Sequence, residues 1–110
     1  LVHVSDGNLY SYKGDHQPVG FYSGKNISFT KRKIKVKKND MIYLFSDGYQ
    51  DQFGGERNKK FMVSKLKKIL LKISNENVDT QLQELKTEFE LWKGNEEQID
   101  DVCLMGVRII

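Results

Sequence analysis

Residues 43–55 read YLFSDGYQDQFGG. An apolar run starts at Met41, climbs to Phe45 and stops at Ser46-Asp47-Gly48. A mostly apolar run of this length predicts a central strand over 41–46. Gly48 tolerates backbone angles that other residues avoid, so the chain can turn sharply behind the strand. The pattern therefore fixes a carboxylate, Asp47, at a rigid strand end. Asp-Gly is also common turn chemistry, and the dipeptide alone leaves both readings open.

Upstream of this run, the pattern predicts more strands. Val2 and Val4 alternate with polar neighbours, Asp6-Gly7 marks a turn, and Leu9 to Tyr12 returns. Asp-Gly between short alternating runs predicts a hairpin. Gly14 to Gly24 reads as a loop around the single proline, Pro18. Ile27-Ser28-Phe29 and Ile34-Lys35-Val36 alternate, and Asn39-Asp40 marks a turn.

Downstream, the period changes. Met62, Leu66, Ile69, Leu70 and Ile73 fall on one face of a predicted helix. Ser74 to Asn77 interrupts it and supplies N-cap residues. Val78, Leu82, Leu85, Phe89 and Trp92 predict a second helix that stops at Gly94-Asn95. Its apolar stripe reads as core rather than a dimer seam, because it covers barely two heptads. An apolar stretch from Val102 to Ile110 predicts a last strand. Strands, two helices, then a strand indicate an α+β fold: an antiparallel sheet with two antiparallel helices on one face.

Asp100-Asp101 stands at the start of that last strand. If the two strands lie side by side, their carboxylates meet, and hard divalent cations such as magnesium or manganese favour oxygen clusters of that kind.

The totals are consistent with one small domain. The chain has 110 residues, 38% hydrophobic and 30% charged, with a net charge of +3. That balance is too mild to indicate nucleic acid by itself. One cysteine, Cys103, excludes a disulfide framework and a CxxC zinc pattern. A reducing, cytoplasmic location is expected. No apolar stretch nears the ~18 residues of a membrane span, and no signal peptide is visible. This segment is expected to make no membrane contact, even if its parent is attached to a membrane sensor.

Several stretches, in order, resemble the carboxy-terminal half of bacterial serine phosphatases of the sporulation-protein-E and sigma-regulation type, within the protein phosphatase 2C superfamily. They are Gly14-Asp15-His16-Gln17-Pro18-Val19-Gly20, Lys38 to Gly48, Gln52-Phe53-Gly54-Gly55, Lys59-Lys60-Phe61, Phe89 to Gly94, and Asp100 to Arg108. The resemblance covers essentially the whole chain. It implies part of an α/β/β/α sandwich and a single partial domain over 1–110. It also implies hydrolysis of phosphoserine or phosphothreonine with two manganese or magnesium ions and a metal-activated water. By position, Asp47 and Asp100 match metal ligands, with Asp101 the neighbouring alternative, and Gly48 matches the glycine that shapes the turn. No catalytic side chain is assigned within the chain.

The family's amino-terminal half carries a further Asp-centred motif and a Gly-His-Gly element, and neither is found here. The segment alone is therefore expected to have little or no activity. The resemblance implies a signalling role for the parent and a phosphoprotein substrate such as an anti-sigma-factor antagonist. The alternative is a non-catalytic interaction module of the same fold. An incomplete sandwich would also self-associate through its exposed apolar surface.

Many relatives have Thr where this chain has Cys103, which reads as a buried packing substitution. Residues 31–38, KRKIKVKK, read as an exposed strand with Ile34 and Val36 toward the core, and nucleic-acid binding ranks far behind. Gly54 to Lys60 reads as a mobile loop after the metal strand.

Overall fold

The computed structural model describes residues 1–15, 19–20 and 28–110. The chain opens with β1 (Val2–Ser5) and β2 (Asn8–Ser11). Asp6 and Gly7 between them have φ of 48° and 75°, the left-handed geometry of a two-residue hairpin. Then come β3 (Met41–Phe45), a short helix α1 (Gly48–Asp51), and a small hairpin of β4 (Phe53–Gly54) and β5 (Lys59–Lys60). Helices α2 (Val63–Ile73) and α3 (Val78–Lys93) lead to β6 (Leu104–Arg108). The long strands form one antiparallel sheet in the order β2-β1-β3-β6. Strands β3 and β6, far apart in sequence, are therefore neighbours in the sheet.

Strand alternation sorts the sheet's two faces. Val2, Val4, Met41 and Tyr43 are buried with Leu66, Leu70, Ile73, Leu85 and Phe89 from the helices, forming the core. The spacing of Leu66, Leu70 and Ile73 puts all three on one side of α2. Tyr49 packs its ring against Phe61 at 5.2 Å and Phe89 at 5.1 Å between centroids. The Tyr43 hydroxyl donates to Gln81 Oε1 at 2.7 Å, and burial pushes its pKa up to about 12. Asn77 caps α3, its Oδ1 accepting from Thr80 N–H at 2.8 Å. Gly94 ends that helix at a φ of 53°.

The opposite face is bare beside β6. Leu44 is 47% exposed, Met105 57% and Val107 44%. The register sets Leu44 opposite Met105 and Ile42 opposite Val107, so these side chains form one apolar stripe. Among the described residues, no helix is long and apolar enough to cross a membrane.

Several expectations from the sequence change. Residues 34–36 form no strand, and Val36 is 44% exposed. Alternation alone misleads there: the segment joins neither open edge of the sheet, β2 or β6. Met62 precedes α2 and is exposed, while Val78 and Leu82 are exposed on α3. The core side of α3 is its later part, Leu85 and Phe89. Cys103 is exposed, not buried, since it precedes β6 and lies where the sheet frays. The Gly54–Lys60 loop is instead the β4–β5 hairpin. An added Cβ at Gly54 would lie 1.8 Å from the Trp92 carbonyl oxygen, and Gly55 N–H donates to that oxygen at 2.9 Å. The glycine pair thus lets Trp92 dock. Residues 16–18 and 21–27, with the Pro18 loop, His16 and Ile27, lie outside the described residues.

Candidate metal and phosphate site

The site begins where β3 and β6 fray. Their last ladder pair is Phe45 with Leu104. Beyond it, Ser46 N–H donates to the Cys103 carbonyl at 3.0 Å. Cys103 N–H donates back to Ser46 Oγ at 3.2 Å. The Ser46 hydroxyl is 3.4 Å from the carbonyls of both Asp101 and Cys103. The backbone segments bearing Asp47 and Asp101 therefore run side by side, which meets the condition the sequence left open, but the three carboxylates do not gather into one cluster.

Gly48 is required here for a different reason than turning. It is the first residue of α1, and its φ is not in the left-handed region. An added Cβ would lie 2.0 Å from the Asp101 carbonyl oxygen. Real Cβ atoms do not approach backbone that closely, so any side chain at 48 would drive the two acidic segments apart.

Asp47 occupies the N-cap of α1, yet its side chain makes no capping hydrogen bond. Asp47, Asp100 and Asp101 are all exposed. Asp100 is partly engaged locally, its Oδ1 accepting from Asp101 N–H at 2.8 Å. Exposed carboxylates on adjoining segments suit a hard divalent cation, which keeps several waters. Among the described residues, no three His, Cys, Asp or Glu side chains cluster closely enough to hold a metal by themselves. Asp47, Asp100 and Asp101 offer oxygen donors of the kind such an ion takes, but do not themselves gather into a three-ligand group.

A cleft of about 370 Å³ opens beside Asp47. Ser11, Lys13, Ser46, Gln50 and Lys67 are among the residues that line it. Sequence reasoning missed both lysines as site residues. Lys13 belongs to the segment after β2 and Lys67 to α2, and no local pattern joins them.

A different acid stands at the other end of β3. Asp40 is buried, and Lys37 N–H and His3 Nε2–H donate to its Oδ2 at 2.9 and 2.7 Å. Those hydrogen bonds hold its pKa down at about 2. The sequence shows Asp40 only as a turn residue. Its bond to His3 spans 37 positions and leaves no local trace.

The family model described as Stage II sporulation protein E (SpoIIE) matches residues 1–110. This chain belongs to the SpoIIE family. The solved SiaA-PP2C domain of Pseudomonas aeruginosa is similar over 99% of this chain, with a TM-score of 0.85 and 21% identity. That likeness establishes the PP2C-type fold. The SpoIIE chain described here spans 42% of that structure's length, so it corresponds to less than half of that chain. No curated protein matches it.

Proposed function

We propose that residues 1–110 are the carboxy-terminal part of a metal-dependent protein serine/threonine phosphatase domain. Membership of the SpoIIE family supports a phosphatase role for the parent. The observation that carries the metal reading is Asp47, an N-cap aspartate that does not cap. It projects from a turn whose glycine lets the Asp100-Asp101 segment approach.

In this reading Asp47 and Asp100 are metal ligands, with Asp101 as the alternative to Asp100. The fitting ions are Mn²⁺ or Mg²⁺, two of them in a complete domain. When bound, such ions supply Lewis acidity toward phosphoryl oxygens and lower the pKa of coordinated water. The chain's own part is to hold its carboxylates at the frayed β3–β6 end and to present Lys13 and Lys67 along the adjoining cleft. Two ammonium groups there favour a dianionic phosphate ester. The substrate would be a phosphoserine or phosphothreonine on a cytoplasmic signalling protein, such as an anti-sigma-factor antagonist. The bare stripe of Leu44, Met105 and Val107 supports packing against the rest of the sandwich. Without that remainder, it favours self-association and little activity of the 110-residue segment.

The test is manganese-dependent release of phosphate from a phosphoserine protein by the full-length protein. The expected result is turnover that needs the metal and disappears in Asp47→Asn. Metal-independent turnover, or an Asp47→Asn variant as active as wild type, would sink the proposal.

A further inference from the structure

Asp47 is followed by α1, and Gln52 is the C-cap residue just after it. Gln52 is 0% exposed. Its backbone carbonyl accepts from Trp92 Nε1–H and from Phe61 N–H, each at 2.9 Å. Its side-chain amide donates to the Phe53 carbonyl at 3.0 Å and to the Glu97 carbonyl at 2.9 Å. Among the described residues its Oε1 has no hydrogen-bond partner. A buried acceptor left open is costly, so packing alone does not account for glutamine at this position. What the amide adds is its grip on Glu97. Glu97 lies in the loop from α3 to β6, three residues before Asp100.

Ser46 grips the same loop farther along, at Asp101 and Cys103. The two fastenings bracket Asp47 on one segment; on the other they hold Glu97 at one end and Asp101 and Cys103 at the other, with Asp100 between. A loop held at both ends keeps its middle at a set distance from the facing segment. Gly48, with its close approach to Asp101, is the point where the segments touch between the fastenings. We infer that Ser46 and Gln52 form a two-point clamp that sets the spacing of the acidic segments, making both of them positioning residues for divalent-cation binding. The inference rests on the metal reading of Asp47 and Asp100-Asp101. Direct hydrogen-bond partners of metal ligands are worth about 10- to 100-fold in affinity; Ser46 and Gln52 hold the backbone and not the carboxylates, so the loss expected here lies at or below the lower end of that range.

The test is manganese binding by calorimetry on the full-length protein, with Gln52→Met, Ser46→Ala and Asp47→Asn compared. Methionine has a similar length and fills the space. It removes the bonds to Glu97 and Phe53 and also removes the unpartnered oxygen, so the stability effects oppose each other. The expected result for Gln52→Met is a manganese Kd raised a few-fold to about tenfold, with the metal-free unfolding midpoint near wild type. Its phosphatase activity should recover when manganese is raised, which a general packing defect would not allow. If Asp47→Asn loses binding while Gln52→Met binds as wild type, the clamp is overturned and the metal reading stands. If Asp47→Asn itself binds as wild type, the metal reading fails and the clamp with it. Should Gln52→Met not fold, Ser46→Ala probes the clamp from its other end, and wild-type affinity there overturns it.

Discussion

One strand carries an aspartate at each end, and the two are used in opposite ways. Asp40, before β3, is buried and takes hydrogen bonds from Lys37 N–H and the His3 ring. Asp47, after β3, is exposed and leaves its capping role unfilled. The residue type is the same and the strand is the same. What differs is the neighbourhood: one carboxylate has its donors supplied by the protein, and the other is exposed and caps nothing, which is why we propose it as a metal ligand. A buried, satisfied acid holds structure together. An exposed acid fixed on a strand end, beside a second acidic segment, is suited to bind.

Asp47→Asn should have the largest effect on this division. In the full-length protein it should reduce manganese-dependent phosphatase activity by at least about a hundredfold, while leaving the unfolding midpoint close to that of wild type. Circular dichroism melts beside phosphate release would show the split. Gly48→Ala comes next. Its Cβ would collide with the Asp101 carbonyl, so manganese affinity should fall by about tenfold or more although no carboxylate has been removed. Normal affinity in the Gly48→Ala variant would mean that the acidic segments need not approach.

Lys67→Ala should act on substrate rather than on metal. Its expected signature is a KM for phosphoprotein raised a few-fold with kcat nearly unchanged, since it removes a charge from the cleft wall. Asp40→Asn approaches the same division from the structural side. It should lower the unfolding midpoint, yet leave the manganese requirement of the folded protein as it was.

Asp40 also predicts an acid limit. Its folded pKa, about 2, lies below its ordinary 3.8. The stabilisation is therefore fully present above about pH 4 and is lost as pH falls from there toward 2. Wild type should lose stability through that window more steeply than Asp40→Asn, and equal slopes in acid-unfolding curves would argue against this role.

The same two acids mark what a reader of the sequence can see. The β1–β2 hairpin, β3, both long helices and β6 are legible because each is a local pattern of apolar spacing and turn residues. Asp47 and Asp100-Asp101 stand out for the same reason, being short acidic steps beside apolar runs, while their role as ligands is our proposal. Asp40 is not, because its burial comes from His3 far away in the chain. Neither are the grips of Ser46 and Gln52, which go to backbone groups and depend on no residue identity at 97, 101 or 103. Gly48 shows an intermediate case: the glycine is noticed, but the reason for it is the proximity of Asp101 and not the turn. Residues 34–36 alternate like a strand and are not one, since alternation describes a face and says nothing about a free edge to pair with. Cys103 looks buried within an apolar stretch, but the ladder only begins at Leu104.

A manganese titration by calorimetry, on the full-length protein as wild type, Asp47→Asn and Asp40→Asn, puts the two ends of β3 side by side. Asp47→Asn is expected to lose most of its manganese binding, and folded Asp40→Asn to keep wild-type affinity. Equal loss in both, or no loss in Asp47→Asn, would contradict the division of labour between the two aspartates.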